Sequence, residues 1–178
     1  MPNKYLLAAI GHNSDYLFAW DSSDNFSGKE CNLVLHEFCD SPITQIVHLK
    51  HHGKGEQELV AVANAKGEVA IWDLDELELE FECQVHEKGE IKSMIELHRG
   101  KYKGYVVTGG DDFSFKLIKI KEHVHEYEII ASFGARGPVS CLAELKPGML
   151  AVSDNNIVQV WDLARPSAYI KEVIHHED

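Results

Sequence analysis

The stretch "VAIWDL" at residues 69–74 returns almost unchanged as "VQVWDL" at 158–163. A third pair of the same kind lies in "FAWDS" at 18–22. Each of the chain's three tryptophans is followed by aspartate: Trp20-Asp21, Trp72-Asp73 and Trp161-Asp162. A dipeptide that takes up every tryptophan is first to be tested as part of a repeat.

Outward from these pairs, three segments align: "SPITQIVHL" (41–49), "GEIKSMIEL" (89–97) and "GPVSCLAEL" (137–145). Ile43, Ile91 and Val139 within them are 48 residues apart each time. Each reads as a short strand closed by an apolar residue. A second set follows: "ELVAVANAKGEVAIWDL", "GYVVTGGDDFSFKLIKI" and "GMLAVSDNNIVQVWDL", with "YLLAAIGHNSDYLFAWD" as a fourth copy at the start. An apolar β-favouring run, a turn of Gly, Asn, Asp or Ser, and a second β run make a hairpin signature. Aligned this way, Trp20, Trp72, Ile118 and Trp161 share one site, at intervals of 52, 46 and 43.

A third set completes the unit: "ECNLVLHEF", "LELEFECQV", "EYEIIASF" and "AYIKEVIH". In "ELELEFEC", Glu78, Glu80 and Glu82 alternate with Leu77, Leu79 and Phe81, which places the glutamates on one face of an outer strand. Charge there discourages edge-to-edge pairing. No segment has a convincing helical period, so the chain reads as all-β.

Four short antiparallel strands, here a to d, repeating about every 43–52 residues, are the signature of β-propeller blades. On these residues the chain resembles the WD-repeat family, in which a Trp-Asp pair closes strand c of each blade. The units fall at 1–40 (strands b to d, lacking strand a), 41–88, 89–136 and 137–178. The resemblance implies a buried network joining a Gly-His pair before strand a, a Ser or Thr in strand b, an Asp in the b–c turn and the strand-c Trp. Carried over, the third unit has His86, Thr108 and Asp112, but Ile118 in place of Trp. The second has Trp72 with Lys66 at the turn position. The fourth has Trp161 with Asn155, and Gly134-Ala135 where Gly-His would stand. No unit carries the complete network.

Propellers of this family usually have seven or eight blades, and about three and three-quarters are expected here. Three arrangements satisfy that count: a larger propeller of which this chain is part, a ring completed by another subunit or a second copy, and a self-closed four-bladed ring. An array with open flanks exposes apolar surface that monomers rarely tolerate, so a protein partner is expected.

Composition bounds the function classes. The chain has 178 residues, 44% hydrophobic and 26% charged, enough for one soluble domain with a core. No apolar run approaches the ~18 residues of a membrane span. The start, "MPNKYLLAAIGHN", reads as a strand and not as a signal peptide. Cys31, Cys39, Cys83 and Cys141 form no CxxC pair and read as free, partly buried thiols of a reducing compartment, cytoplasmic or nuclear. An extracellular disulfide frame is the alternative. A net charge of −12 argues against a general nucleic-acid or membrane-surface binder.

No catalytic, cofactor or metal site is expected. The eleven histidines, among them His48, His51, His52, His123, His125, His175 and His176, fall in different loops and on the tail without ligand spacing. Asp111, Asp112 and Asp154 suit b–c turns, Cys141 reads as a buried thiol, and Gly109-Gly110 precedes no helix and is no phosphate loop.

Two loop surfaces are candidates for binding. The a–b loops gather Lys50, Lys54, Arg99, Lys101, Lys103 and Lys146 on one rim, with Tyr102 and Tyr105 beside them. That rim reads as a solvated face or as a dock for an acidic protein or RNA. On the opposite face the resemblance implies peptide binding near Asp40, Glu90 and Arg136 before strand a, and Asn64, Gly110 and Asp154 after strand b. The expected function is a non-catalytic scaffold or adaptor in an intracellular assembly. The alternatives are a peptide-recognition or substrate-receptor subunit of chromatin or ubiquitin-ligase type, and an RNA- or ribonucleoprotein-associated factor using the basic rim.

Overall fold

The computed structural model describes residues 5–9, 16–21, 32–38, 40–52, 58–121, 126–154, 157–165 and 169–175. Lys54 and Asn155 lie outside them, as do His123, His125 and His176. The described residues form four antiparallel sheets, each a meander in chain order. The first holds β1 (Tyr5–Ala9), β2 (Tyr16–Asp21) and β3 (Asn32–Phe38). The second holds β4 (Ile43–Leu49), β5 (Leu59–Asn64), β6 (Glu68–Asp73) and β7 (Glu78–Gln84). In the third are β8 (Ile91–Glu96), β9 (Val106–Gly110), β10 (Ser114–Lys121) and β11 (Glu126–Gly134). The fourth comprises β12 (Val139–Lys146), β13 (Met149–Asp154), β14 (Ile157–Asp162) and β15 (Tyr169–His175).

These sheets are the blades of an all-β propeller that forms an open ring. Successive inner strands lie side by side: β4 against β8, and β8 against β12. The junctions are stitched by polar groups as well as packing. Thr44 Oγ1 donates to the Ile91 carbonyl at 2.5 Å, and Ser93 Oγ accepts the Leu142 amide at 3.1 Å.

The strand-c position repeats in register. Trp20, Trp72, Ile118 and Trp161 pair on one side with Leu6, Val60, Val106 and Leu150. On the other side each adjoins a β-bulge, between Ala19/Trp20, Ile71/Trp72, Leu117/Ile118 and Val160/Trp161. A bulge sharpens the local twist, and here it recurs once per blade beside the same site.

The cores lie between blades. Trp72 packs with Leu17 and Ala19 of the first blade. Ile118 sits among Ile71, Cys83 and Val85 of the second. Trp161 meets the edges of Phe115 and Phe133 of the third, at centroid distances of 5.1 and 5.9 Å, and those two rings stack at 4.5 Å. Trp72 and Trp161 thus seal their blades onto the preceding ones, a role the buried Ile118 also fills. Close approach governs Gly109, where an added Cβ would meet Val139 Cγ1 at 2.4 Å.

Two expectations need correction. The alternation of β7 is broken by its bulge: Ile71 pairs with Phe81 and Trp72 with Leu79, so Glu80 is the extra residue and Leu79 is exposed. Cys141 is exposed instead of buried, because among the described residues no blade covers that face of β12. Cys83 is buried, and burial pushes its thiol up to about 12.

Candidate functional site

The b–c and d–a side is organised by the third blade's network. The His86 ring is fully buried and stands between Thr108 and Asp112, with Nε2 2.9 Å from Thr108 Oγ1 and Nδ1 2.9 Å from Asp112 Oδ1. The ionised carboxylate only accepts, so Nδ1–H donates to it and Nε2 accepts the Thr108 hydroxyl. Ser114 adds a hydroxyl bond at 2.7 Å and an amide bond at 3.1 Å to the same Asp112 oxygen. Burial lowers the His86 pKa despite the pull of Asp112. Burial opposes ionisation of Asp112, but the Ser114 and His86 hydrogen bonds prevail and hold its pKa below the usual value.

Threonine, histidine and aspartate here follow the atom order of a nucleophilic triad. Thr108, however, has no exposed surface, and a nucleophile must reach its substrate. The chain of bonds instead staples strands to loops, and a half-made version would be costly. Gly110 belongs to the same staple, since a Cβ there would stand 2.7 Å from His86 Nδ1.

The other residues of this side divide in two. Asn64 and Asp154 are buried, and their side chains serve the backbone. Asn64 Oδ1 accepts the amides of Lys66 and Glu68, and Asp154 Oδ2 accepts the Arg136 amide at 2.7 Å. Asp40 and Arg136 are exposed, and Glu90 is half-buried beside Lys92, at 3.6 Å. The buried side chains are not available to a ligand; the exposed ones surround no described recess.

On the a–b side, Lys50, Arg99, Lys101, Lys103 and Lys146 are all exposed. Tyr102 belongs to the core between the third and fourth blades, with Tyr105 against it at 5.7 Å. Its ring is therefore committed to packing and not to stacking on a base. A short 3-10 turn at Gly100–Tyr102, absent from the sequence reading, makes that insertion.

Beneath this rim lies a second constellation. Glu96 ends β8 with its side chain fully buried, and its two oxygens each accept one amide of the preceding blade's loop, from Lys50 and His51, at 3.0 Å. Fourth-blade Glu144 repeats the bond, taking the His98 amide at 2.9 Å. His98 Nδ1 is 3.4 Å from Glu96 Oε2 and 3.3 Å from His51 Nε2. His52 Nε2 is hydrogen-bonded to the Gly104 carbonyl and lies 4.0 Å from Glu96. Burial lowers the His51 pKa, against the attraction of Glu96, and Lys103 and His98 add to the lowering. An open recess of about 360 Å³ adjoins, lined by Glu96, His98, Arg99 and Glu144.

Histidines expected to be scattered solvated loops are thus partly gathered. Residues about one repeat apart, such as His51 and His98, become neighbours because consecutive a–b loops lie side by side. That period was in the sequence, and applying it to the loops was the signal available.

No family model matches the chain, and no curated protein matches it. Among solved structures, it is similar to a chain of a crystal structure of the mitotic checkpoint complex, with a TM-score of 0.66 at 15% identity. The match covers 94% of this chain and 47% of that one, so this chain spans about half its length. At this identity the likeness speaks for the fold. Among the described residues, no helix is long and apolar enough to cross a membrane.

Proposed function

We propose that the chain is a non-catalytic WD-type scaffold of an intracellular protein assembly, in which a further blade covers the open face of the fourth. The units 41–88, 89–136 and 137–178 act as its complete blades. The face of β12 carries this reading. Ser93 of β8 is buried against the next blade, whereas its counterpart Cys141 is exposed. Leu49 and Leu97 are each 1% exposed, and the corresponding Leu145 is 49% exposed. A bulge at Leu145 accounts for part of that difference, but Cys141 follows the same bulge as its counterparts Gln45 and Ser93.

The occupant is another blade: a partner subunit or further sequence of the same polypeptide in the assembly, and a second copy in the purified chain. The solved neighbour belongs to a multi-protein complex, which supports protein partners without naming a pathway.

Light scattering on the purified chain over a range of concentrations tests the reading. The expected result is concentration-dependent association that Leu145→Asp abolishes. A monodisperse monomer throughout, with Leu145→Asp behaving identically, would refute it.

A further inference from the structure

We infer that His51, Glu96 and His98 form a binding site for a single divalent transition metal of the zinc class, at the junction of the second and third blades. The donor atoms are His51 Nε2, His98 Nδ1 and a Glu96 carboxylate oxygen, all within 4.8 Å of one another. Ligands at roughly 2.0–2.2 Å from a tetrahedral zinc stand about 3.4 Å apart. The His98–His51 and His98–Glu96 separations, 3.3 and 3.4 Å, match that edge. Two imidazoles and one carboxylate are a donor set that suits zinc and not magnesium or calcium, which favour all-oxygen shells.

The scaffold holds the donors before any ion arrives. Glu96 is fixed by the Lys50 and His51 amides and retains lone pairs, since a carboxylate offers about four acceptor positions. Glu144 grips the His98 amide from the other side. Gly104 packs beneath His51: a Cβ there would stand 3.3 Å from the His51 Cβ. Without metal, the two imidazoles share one N–H···N hydrogen bond, and binding moves that proton off the contacting nitrogen. Arg99 and Lys103 oppose a cation, while the Glu96 and Glu144 carboxylates favour it. With three protein ligands, a fourth position remains, next to the recess where Glu144 Oε1 is buried without a hydrogen-bond partner among the described residues. A metal here would tie the second blade's loop to the third blade's inner strand.

The test is calorimetric titration of the chelator-treated full chain with Zn2+. One binding event is expected, with Mg2+ giving none at equal concentration. His51→Ala and His98→Ala should each weaken it at least about tenfold, and a His175→Ala/His176→Ala double variant should leave it unchanged. His51 is half-buried and His98 is 47% exposed, so both variants should keep the wild-type circular dichroism. A measurement that needs no variant is the melting temperature of the wild type, which Zn2+ should raise. Absence of Zn2+ binding, an unchanged melting temperature, wild-type affinity in both single variants, or loss of binding in the tail variant would each overturn the assignment.

Discussion

Glu96 and Glu144 stand 48 residues apart and take the same hydrogen bond, each accepting an amide from the a–b loop of the blade before it. They differ in load: Glu96 takes two amides through two oxygens, whereas Glu144 takes one. A hydrogen bond to a charged group contributes about 1.5–3 kcal/mol, and a buried amide left alone costs about 1–3 kcal/mol. Glu96→Ala should therefore destabilise the chain by about 1–3 kcal/mol more than Glu144→Ala. Urea midpoints of the two variants at pH 8 measure the difference.

Leu97 and Leu145 give a second paired comparison. Leu97 is packed among Val107, Leu142 and Leu150, and its truncation should cost about 2–5 kcal/mol. Leu145→Ala removes surface that is already half in water and should cost at most about 0.5–1 kcal/mol in the unassociated chain. In the associated form the cost at Leu145 should rise toward that at Leu97. Thermal melts above and below the association range separate the two conditions.

The His86 network makes stability depend on pH in a fixed direction. His86 has a folded pKa below the 6.5 of the free side chain, so the unfolded chain binds the proton first. Its contribution is complete above about 6.5 and is lost as the pH falls below that value. Asp112 is also held below its ordinary 3.8. Its contribution is present above that value and disappears as the pH falls through the lowered folded pKa. Both groups thus act in the same sense, histidine first. His51 shifts in the same direction, so the signal is read as a difference. His86→Gln should be less stable than the wild type at pH 8, and its stability should fall less between pH 8 and pH 5. An equal fall in both would show that His86 does not titrate in the folded state as described.

Strand number, order and the phase of the Trp-Asp pairs were readable because each is a local pattern of period two repeated at a fixed interval. Ile118 could be placed at the tryptophan site for the same reason. Cys141 could not, since its exposure depends on what covers β12 and not on its own strand. Alternation misplaces Glu80 because it assumes an unbroken ladder, and the bulge beside Trp72 inserts one residue. Tyr102 stands among rim residues in the sequence, yet the turn at Gly100–Tyr102 folds it into the core. The His51, Glu96 and His98 cluster needed a spatial step: placing residues about one period apart against each other across a blade junction.

Trp72 and Trp161 occupy the same site but settle their indole N–H groups differently. Trp161 Nε1 donates to Gln159 Oε1 at 3.1 Å, two residues back along its own strand. Trp72 has Ala70 at that place, and its Nε1 is buried without a hydrogen-bond partner among the described residues. Ala70 pairs with Val62, as Gln159 pairs with Val152, and Val62 and Trp72 share one core. Val62 also occupies the register position that Thr108 holds in the third blade, opposite Lys116. A hydroxyl at residue 62 would give the Trp72 N–H an acceptor, a net contribution of about 0.5–1.5 kcal/mol set against the desolvation of the new group. Val62→Thr should therefore be close to neutral or mildly stabilising. Val107→Thr, by contrast, places its hydroxyl in the core with Phe115, Leu117 and Phe133, and it should cost about 1–3 kcal/mol. Denaturant titrations of the two variants decide the matter: equal losses at both positions would mean that the Trp72 indole does not point toward residue 62.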